Sequence, residues 1–315
     1  MKAIQITAFG GPDVMKYVDL ANPVAGTDEV VLDVTAVGIN YADTHQTENS
    51  YLSPQTLPMI PGIEVVGTHA GKRYLASVSS GGYAQKAIAH TSVLFPIPDV
   101  VTDEQALCML VQGATAWHLL KTMGNLQKGQ SVVVHAAAGG VGTIAIQLAK
   151  MWGGKVIAVT SSDAKAALAK SLGADITVDA QSSDLTAAIR EANGGHGVDL
   201  VLEMVGGKTF DASLAVLAPF GRLITYGMAS RTPPSSINPA VLMGGSKTIT
   251  GFWLSHYFGK KEMMNDVINE LFQLVVAGKL HPVIGATFPL SKAGDAHRAM
   301  LARQTTGKIV LDPAL

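Results

Sequence analysis

The sequence predicts an α/β protein in which a mainly β region precedes a doubly wound parallel sheet. Three observations predict it. The first hundred residues hold short runs of β-branched residues separated by glycine and proline turns. From about residue 113 the texture changes to strands alternating with helices of similar length, the pattern of a parallel sheet covered on both faces. Between one strand and one helix lies a turn of small residues, His135 to Gly142.

In order along the chain, Lys2–Phe9, Glu29–Ala36 and Ile63–His69 are the first expected strands. The turns Gly10-Gly11-Pro12, Pro23 to Asp28 and Pro58 to Gly62 bound them. Ser79 to Gly82 is a further turn before an extended run, Tyr83–Ala89. A helix is expected after Thr102, an N-cap followed by Asp103 and Glu104, which the positive end of a helix favours. Ser131–His135, Lys155–Thr160, Ile176–Asp179, Val198–Glu203 and Gly221–Tyr226 are the parallel strands. Ile144–Trp152, Ala164–Leu172, Leu185–Ala192 and Thr209–Leu217 are the helices between them. Thr248–Leu254 is expected to be another strand, and Lys261–Ala277 an amphipathic helix ended by Gly278. Ala293–Ala302 and Lys308–Leu311 close the chain as helix and strand.

Composition narrows the function. Hydrophobic residues make up 48% of 315 and charged residues 15%, enough for a large core and too apolar for disorder. Lys and Arg total 23 against 24 Asp and Glu, so neither a nucleic-acid surface nor a polybasic membrane patch is expected. The single cysteine, Cys108, excludes an internal disulfide and any multi-cysteine zinc site. Met1 to Phe9 lacks the features of a secretory leader, and glycines break the apolar stretch Ser131 to Ala149, so a cytoplasmic protein is expected.

The strongest motif is Val132-Val133-Val134-His135-Ala136-Ala137-Ala138-Gly139-Gly140-Val141-Gly142. Small side chains let the backbone approach a pyrophosphate, and the following helix offers free N–H groups and positive potential. Ala138, Gly139, Gly140, Val141 and Gly142 are therefore candidate cofactor contacts in a Rossmann domain. A tight turn with no ligand is the plainer alternative. Past the next strand, an NAD-reading protein would place an acid for the ribose hydroxyl. Here stands Thr160-Ser161-Ser162-Asp163-Ala164-Lys165, with Asp163 set to open the next helix. Ser161 and Lys165 suit a 2′-phosphate and favour NADPH, although Lys165 equally fits a solvated surface position.

With these residues assembled, the chain resembles the zinc-independent medium-chain dehydrogenase/reductases, and among them the quinone oxidoreductases related to zeta-crystallin. The resemblance rests on Gly38-Ile39-Asn40-Tyr41-Ala42-Asp43, Leu57-Pro58, Pro61-Gly62-Ile63-Glu64, Gln112 to Ala116, the His135–Gly142 turn, Gly206-Gly207 and Gly307-Lys308. It implies a Rossmann domain, 113–249, inserted in a GroES-like mainly β catalytic domain made of 1–112 and 250–315. Zinc-dependent relatives carry a Cys near Asn40, a His beside Glu64 and four cysteines in a loop. None is present, so no metal site is expected.

The resemblance also implies roles. Asn40 lies near the nicotinamide, and Tyr51 matches a tyrosine that serves as proton donor or enolate stabiliser in related enoyl-thioester reductases. The local run Glu48-Asn49-Ser50-Tyr51 lacks the usual glycine, and a lid residue is the alternative reading for Tyr51. Thr115, Gly206, Gly227 and the Phe252-Trp253-Leu254 segment fall where relatives approach the cofactor, while core aromatics of a subunit interface are the plainer reading of Phe252 and Trp253. Lys308 is expected to reach a phosphate. Many quinone reductases carry a tyrosine near the 2′-phosphate where this chain has Asp179-Ala180-Gln181, which weakens the NADP reading without reversing it. The implied activity is NADPH-dependent reduction of a quinone or α,β-unsaturated carbonyl by a homodimer joined near Gly245–Leu254. An enoyl-thioester reductase and an NADPH-binding redox sensor are the competing readings.

Overall fold

The computed structural model describes residues 1–315. In its first part, β1 (Lys2–Gln5) and β2 (Lys16–Asp19) form a separate antiparallel pair. There follow β3 (Glu29–Ile39), α1 (Tyr41–Thr47), β4 (Glu64–His69), β5 (Lys72–Ser77), β6 (Lys86–His90), β7 (Leu94–Pro96) and α2 (Asp103–Leu107). Thr102 caps α2 as its sequence predicts, accepting the Gln105 N–H. A π-helical turn, Met109–Gly113, leads into α3 (Ala114–His118).

The middle of the chain alternates. It runs β8 (Ser131–Val134), α4 (Gly140–Met151), β9 (Lys155–Thr160), α5 (Asp163–Ser171), β10 (Ile176–Asp179), α6 (Leu185–Ala192), β11 (Val198–Glu203), α7 (Gly207–Val216), β12 (Leu217–Thr225), α8 (Pro239–Met243) and β13 (Thr248–Gly251). The last part holds α9 (Lys261–Val276), β14 (Ile284–Pro289), α10 (Ala293–Leu301) and β15 (Lys308–Asp312). No helix is long and apolar enough to cross a membrane.

The chain divides into two compact units. One comprises Met1–Ala114 with Tyr257–Leu315, the other Thr115–His256. The second boundary lies later than the expected 249/250. The reason is that β13 pairs with β12 and belongs to the parallel sheet. The strand expected to run to Leu254 ends at Gly251, after which Leu254–His256 turns in a short 3-10 helix.

In the discontinuous unit, seven strands form one sheet in the order β14-β15-β3-β4-β5-β7, with β6 also on β3. The eleven-residue β3 organises it, pairing in turn with β6, β4 and β15. Its inward side chains, Leu32, Val34, Val37 and Ile39, pack with Val65, Ala76, Tyr83, Leu290 and Leu311. Each such aliphatic side chain contributes about 1.5–3 kcal/mol on leaving water.

The other unit is a Rossmann sheet. Its six strands are all parallel in the order β10-β9-β8-β11-β12-β13. Strand order reverses between β8 and β11, the place where open α/β sheets bind ligands at the carboxyl ends of their strands. Val133, Ile157, Val201 and Leu223 from four successive strands fill one core with Ile189 and Phe210 from the helices. Runs of apolar residues on both faces of β8, β9 and β11 are what burial between two helix layers requires.

Candidate functional site

Two clusters of chemistry-bearing residues stand out, one in each unit. In the Rossmann unit, β8 ends at Val134 and the chain turns through His135–Ala138 into α4. Ala136 takes a left-handed conformation (φ 48°), and its carbonyl accepts the Gly139 N–H at 2.8 Å. Gly139 is the N-cap of α4 and has no side chain to cap it. The N–H groups of Gly140, Val141 and Gly142 begin the helix with no carbonyl one turn behind them. Gly142 is dictated by contact: a Cβ there would lie 2.6 Å from the Ala136 oxygen and 2.7 Å from Ala137 Cα. A cradle of free N–H groups at a twelve-residue helix, closed to any larger side chain, fits a pyrophosphate.

The neighbouring strand ends extend this cluster. At the tip of β9, Asp163 is the first residue of α5, as the sequence predicts, and Ser162 caps it. Ser161 and Lys165 are half-buried beside it. At the tip of β11, the Glu203 carboxylate accepts the N–H groups of Val205 (2.7 Å) and Gly206 (2.9 Å) through Oε1. This holds Gly206 at φ 82°, a conformation that favours glycine. Burial raises the Glu203 pKa, only partly offset by those two N–H groups. Its Oε2 is buried with no partner. Gly227 passes tightly against Met204. Thr115 is buried near the start of this unit. Phe252 bonds its N–H to the Thr225 carbonyl at 2.9 Å and stacks on His118, with ring centroids 6.2 Å apart. Leu254 is buried, and Trp253 packs edge-on against His256. His135, at the entry to the turn, is buried against the Ser213 hydroxyl at 2.8 Å, and burial lowers its pKa to about 4.

In the other unit, the centre is Asn40, 5% exposed at the N-cap of α1. Its side-chain Nδ2 donates to Glu64 Oε2 at 3.1 Å, and its Oδ1 accepts from Lys308 Nζ at 3.1 Å. Lys308 and Glu64 also form an ion pair with both side chains wholly buried. Glu64 Oε1 accepts the Val111 N–H at 2.8 Å, from the π-helical turn. The expectation that Lys308 reaches a phosphate is corrected here. Its ammonium has no exposed surface and is engaged by a carboxylate and an amide.

The backbone of Asn40 is held separately. Its N–H donates to Asp43 Oδ2 at 2.9 Å, and the same oxygen accepts the Tyr83 hydroxyl at 2.8 Å. The Tyr83 oxygen in turn lies 2.8 Å from His297 Nε2. Since Tyr83 spends its one hydrogen on Asp43, Nε2 of His297 carries the proton that completes the chain. Burial raises the Asp43 pKa to about 6 against the pull of the Asn40 and Tyr83 donors. Burial also lowers that of His297 to about 4. Tyr51 is half-buried after α1, its ring 6.0 Å from His45, which itself packs 5.8 Å from Tyr41. His45 is tied to Ser50 at 3.1 Å, and His69 to the Val31 carbonyl at 3.2 Å. No three His, Cys, Asp or Glu side chains come together to hold a metal ion.

Sequence reasoning thus named Asn40 and the cradle but left Glu64, Asp43, Tyr83, His297 and Glu203 out of the candidate site. The signal for Glu64 was present in Gly38. A Cβ there would overlap the Glu64 carboxylate and lie 2.6 Å from Lys308 Cε.

Comparison with known proteins supplies the remaining context. Residues 140–273 match the family model described as zinc-binding dehydrogenase, and residues 26–72 the alcohol dehydrogenase GroES-like domain. A quinone oxidoreductase of Pseudomonas aeruginosa is 34% identical, the alignment covering 99% of each chain. A 2-haloacrylate reductase of a Burkholderia species is 33% identical over 96% of each. Among solved structures, a mycobacterial protein complexed with NADPH superposes with a TM-score of 0.94 at 36% identity, covering 99% of this chain and 100% of its own.

Proposed function

The chain belongs to the quinone oxidoreductase family of zinc-independent medium-chain dehydrogenase/reductases, and from that premise we propose that it reduces quinones or α,β-unsaturated carbonyl compounds with NADPH. The observation that carries the reading is the cradle from Ala136 to Gly142, where helix N–H groups are uncapped and a Cβ has no room. NADPH binding is supported by relatives solved as NADPH complexes and by the lack of an acid at the tip of β9. When bound, NADPH supplies a hydride to the acceptor.

The protein's own residues do the rest. Gly139, Gly140, Val141 and Gly142 hold the pyrophosphate on the N-terminus of α4, where the helix dipole favours anions. Ser161 and Lys165 receive the 2′-phosphate. Thr115, Ala138, Gly206, Gly227 and the 252–254 segment line the remainder of the nucleotide. Asn40 presents an amide N–H at the reacting end, where a donor stabilises negative charge developing on an acceptor oxygen. Tyr51 supplies the proton as a phenol. A zinc-independent reaction is supported by the donor set, which offers no tetrahedral arrangement of thiolate and imidazole. The free edge of β13, paired only with β12, suits the homodimer that the family resemblance implies.

The test is steady-state NADPH oxidation with quinones, enones and enoyl thioesters, alongside nucleotide titration by fluorescence. Turnover with quinones or enones is expected. Exclusive turnover of enoyl thioesters would reassign the substrate, and saturable binding without turnover would mark a sensor. Absence of saturable binding of either reduced nucleotide would overturn the reading.

A further inference from the structure

We propose that Lys308 and Glu64 are positioning residues that decide which way round the Asn40 side-chain amide lies, making Asn40 an obligatory hydrogen-bond donor. The inference rests on the role given to Asn40 above and names the machinery behind it. Strand register brings the three together. In the β15–β3 pair Ile309 faces Ile39, so one step on Lys308 comes opposite Asn40. In the β3–β4 pair Val37 faces Val65, so Glu64 comes opposite Gly38. Glycine at 38 is what leaves room for both long side chains.

The polarity of the partners does the selecting. An ammonium only donates and a carboxylate only accepts, whereas an amide has one end of each kind. Lys308 therefore faces Oδ1 and Glu64 faces Nδ2, as the 3.1 Å contacts show. A flipped amide would set its oxygen against the carboxylate and its NH2 against the ammonium. Neither charged side chain has any exposed surface, so no solvent screens that clash. Glu64 cannot turn away, because its other oxygen is spent on the Val111 N–H. One Nδ2 hydrogen goes to Glu64, which leaves the second to donate outward. A fully buried ion pair adds little stability over an apolar pair of the same volume. Its use at this place is accounted for by orientation.

The test replaces both charges at once, since removing one strands the other. In Glu64→Gln/Lys308→Met, neither neighbour dictates the orientation. The expected loss in kcat is about 10- to 100-fold, with KM for NADPH changed less than about threefold. In an Asn40→Ala background the same double change should bring no further fall in kcat, while its effect on thermal unfolding persists. Multiplying losses would overturn the proposal. An independent readout is the Asn40 side-chain NH2 by ¹⁵N NMR. Its exchange protection should be present in the wild type and lost in the double variant. Protection that survives the double change overturns the proposal whatever the kinetics. Full turnover by Asn40→Ala, with protection still lost in the double variant, would instead remove Asn40 from the chemistry and leave the positioning intact. Should the double variant not fold, Glu64→Gln/Lys308→Gln, which replaces both charges by amides of similar length, carries the same NMR expectation.

Discussion

His135 provides a quantitative test of how the cradle is built. Its imidazole lies at the carboxyl end of β8, buried against Ser213, and burial lowers its pKa from 6.5 to about 4. The folded state therefore binds fewer protons than the unfolded state between those values, and stability is lost as pH falls through that window. The gap from 6.5 to about 4, at about 1.4 kcal/mol per pH unit, amounts to about 3 kcal/mol. Most of that is gone by pH 4.5. His135→Gln keeps a polar partner for Ser213 but does not titrate. The assay is urea unfolding followed by tryptophan fluorescence from pH 7.5 to 4.5. Trp117, Trp152 and Trp253, the only tryptophans, all lie within Thr115–His256, so the signal reports that unit. The variant is expected to be somewhat less stable at neutral pH yet to decline less between pH 7.5 and 4.5, by about 2.5 kcal/mol. An acid limb as steep as that of the wild type would refute the assignment of the buried neutral imidazole.

Other expectations follow from the same geometry. Gly142→Ala, which forces a Cβ onto backbone atoms of Ala136 and Ala137, should weaken NADPH binding at least about 10-fold in a fluorescence titration. Ser161→Asp should move preference from NADPH toward NADH by about 10-fold or more in kcat/KM, since an acid there repels a 2′-phosphate and accepts from a ribose hydroxyl. Tyr51→Phe should lower enone turnover by about 100-fold with NADPH affinity retained, and unaltered turnover would take Tyr51 out of proton transfer. Asp43 runs opposite in sign to His135. Its folded pKa, about 6, lies above its ordinary 3.8, so its contribution is fully present below pH 3.8 and is lost as pH rises through 6. Asp43→Asn should therefore gain on the wild type by about 2 kcal/mol between pH 4 and pH 7, measured by thermal unfolding with circular dichroism. Its kcat should fall as Asn40 loses the carboxylate that holds its N–H.

The sequence by itself determined the elements whose conformation is set by near neighbours. Buried strands such as Val198–Glu203, the capped helices after Thr102 and Ser162, and the Ala136–Gly142 turn all carry their instructions within a dozen residues. Backbone sterics and the pairing of N–H groups act over that range. Short elements escaped it. β2, β5 and β14 have few residues or mixed polarity, and their conformation comes from the strands they pair with. The tertiary structure alone decided what Lys308 does. Nothing beside it in the chain distinguishes an ammonium reaching a phosphate from one buried against Glu64, since the choice depends on strands far apart in sequence coming into register. The same holds for the chain from Asp43 through Tyr83 to His297. The Lys308 ammonium is buried where its counter-charge is delivered, and that delivery is a property of the assembled sheet.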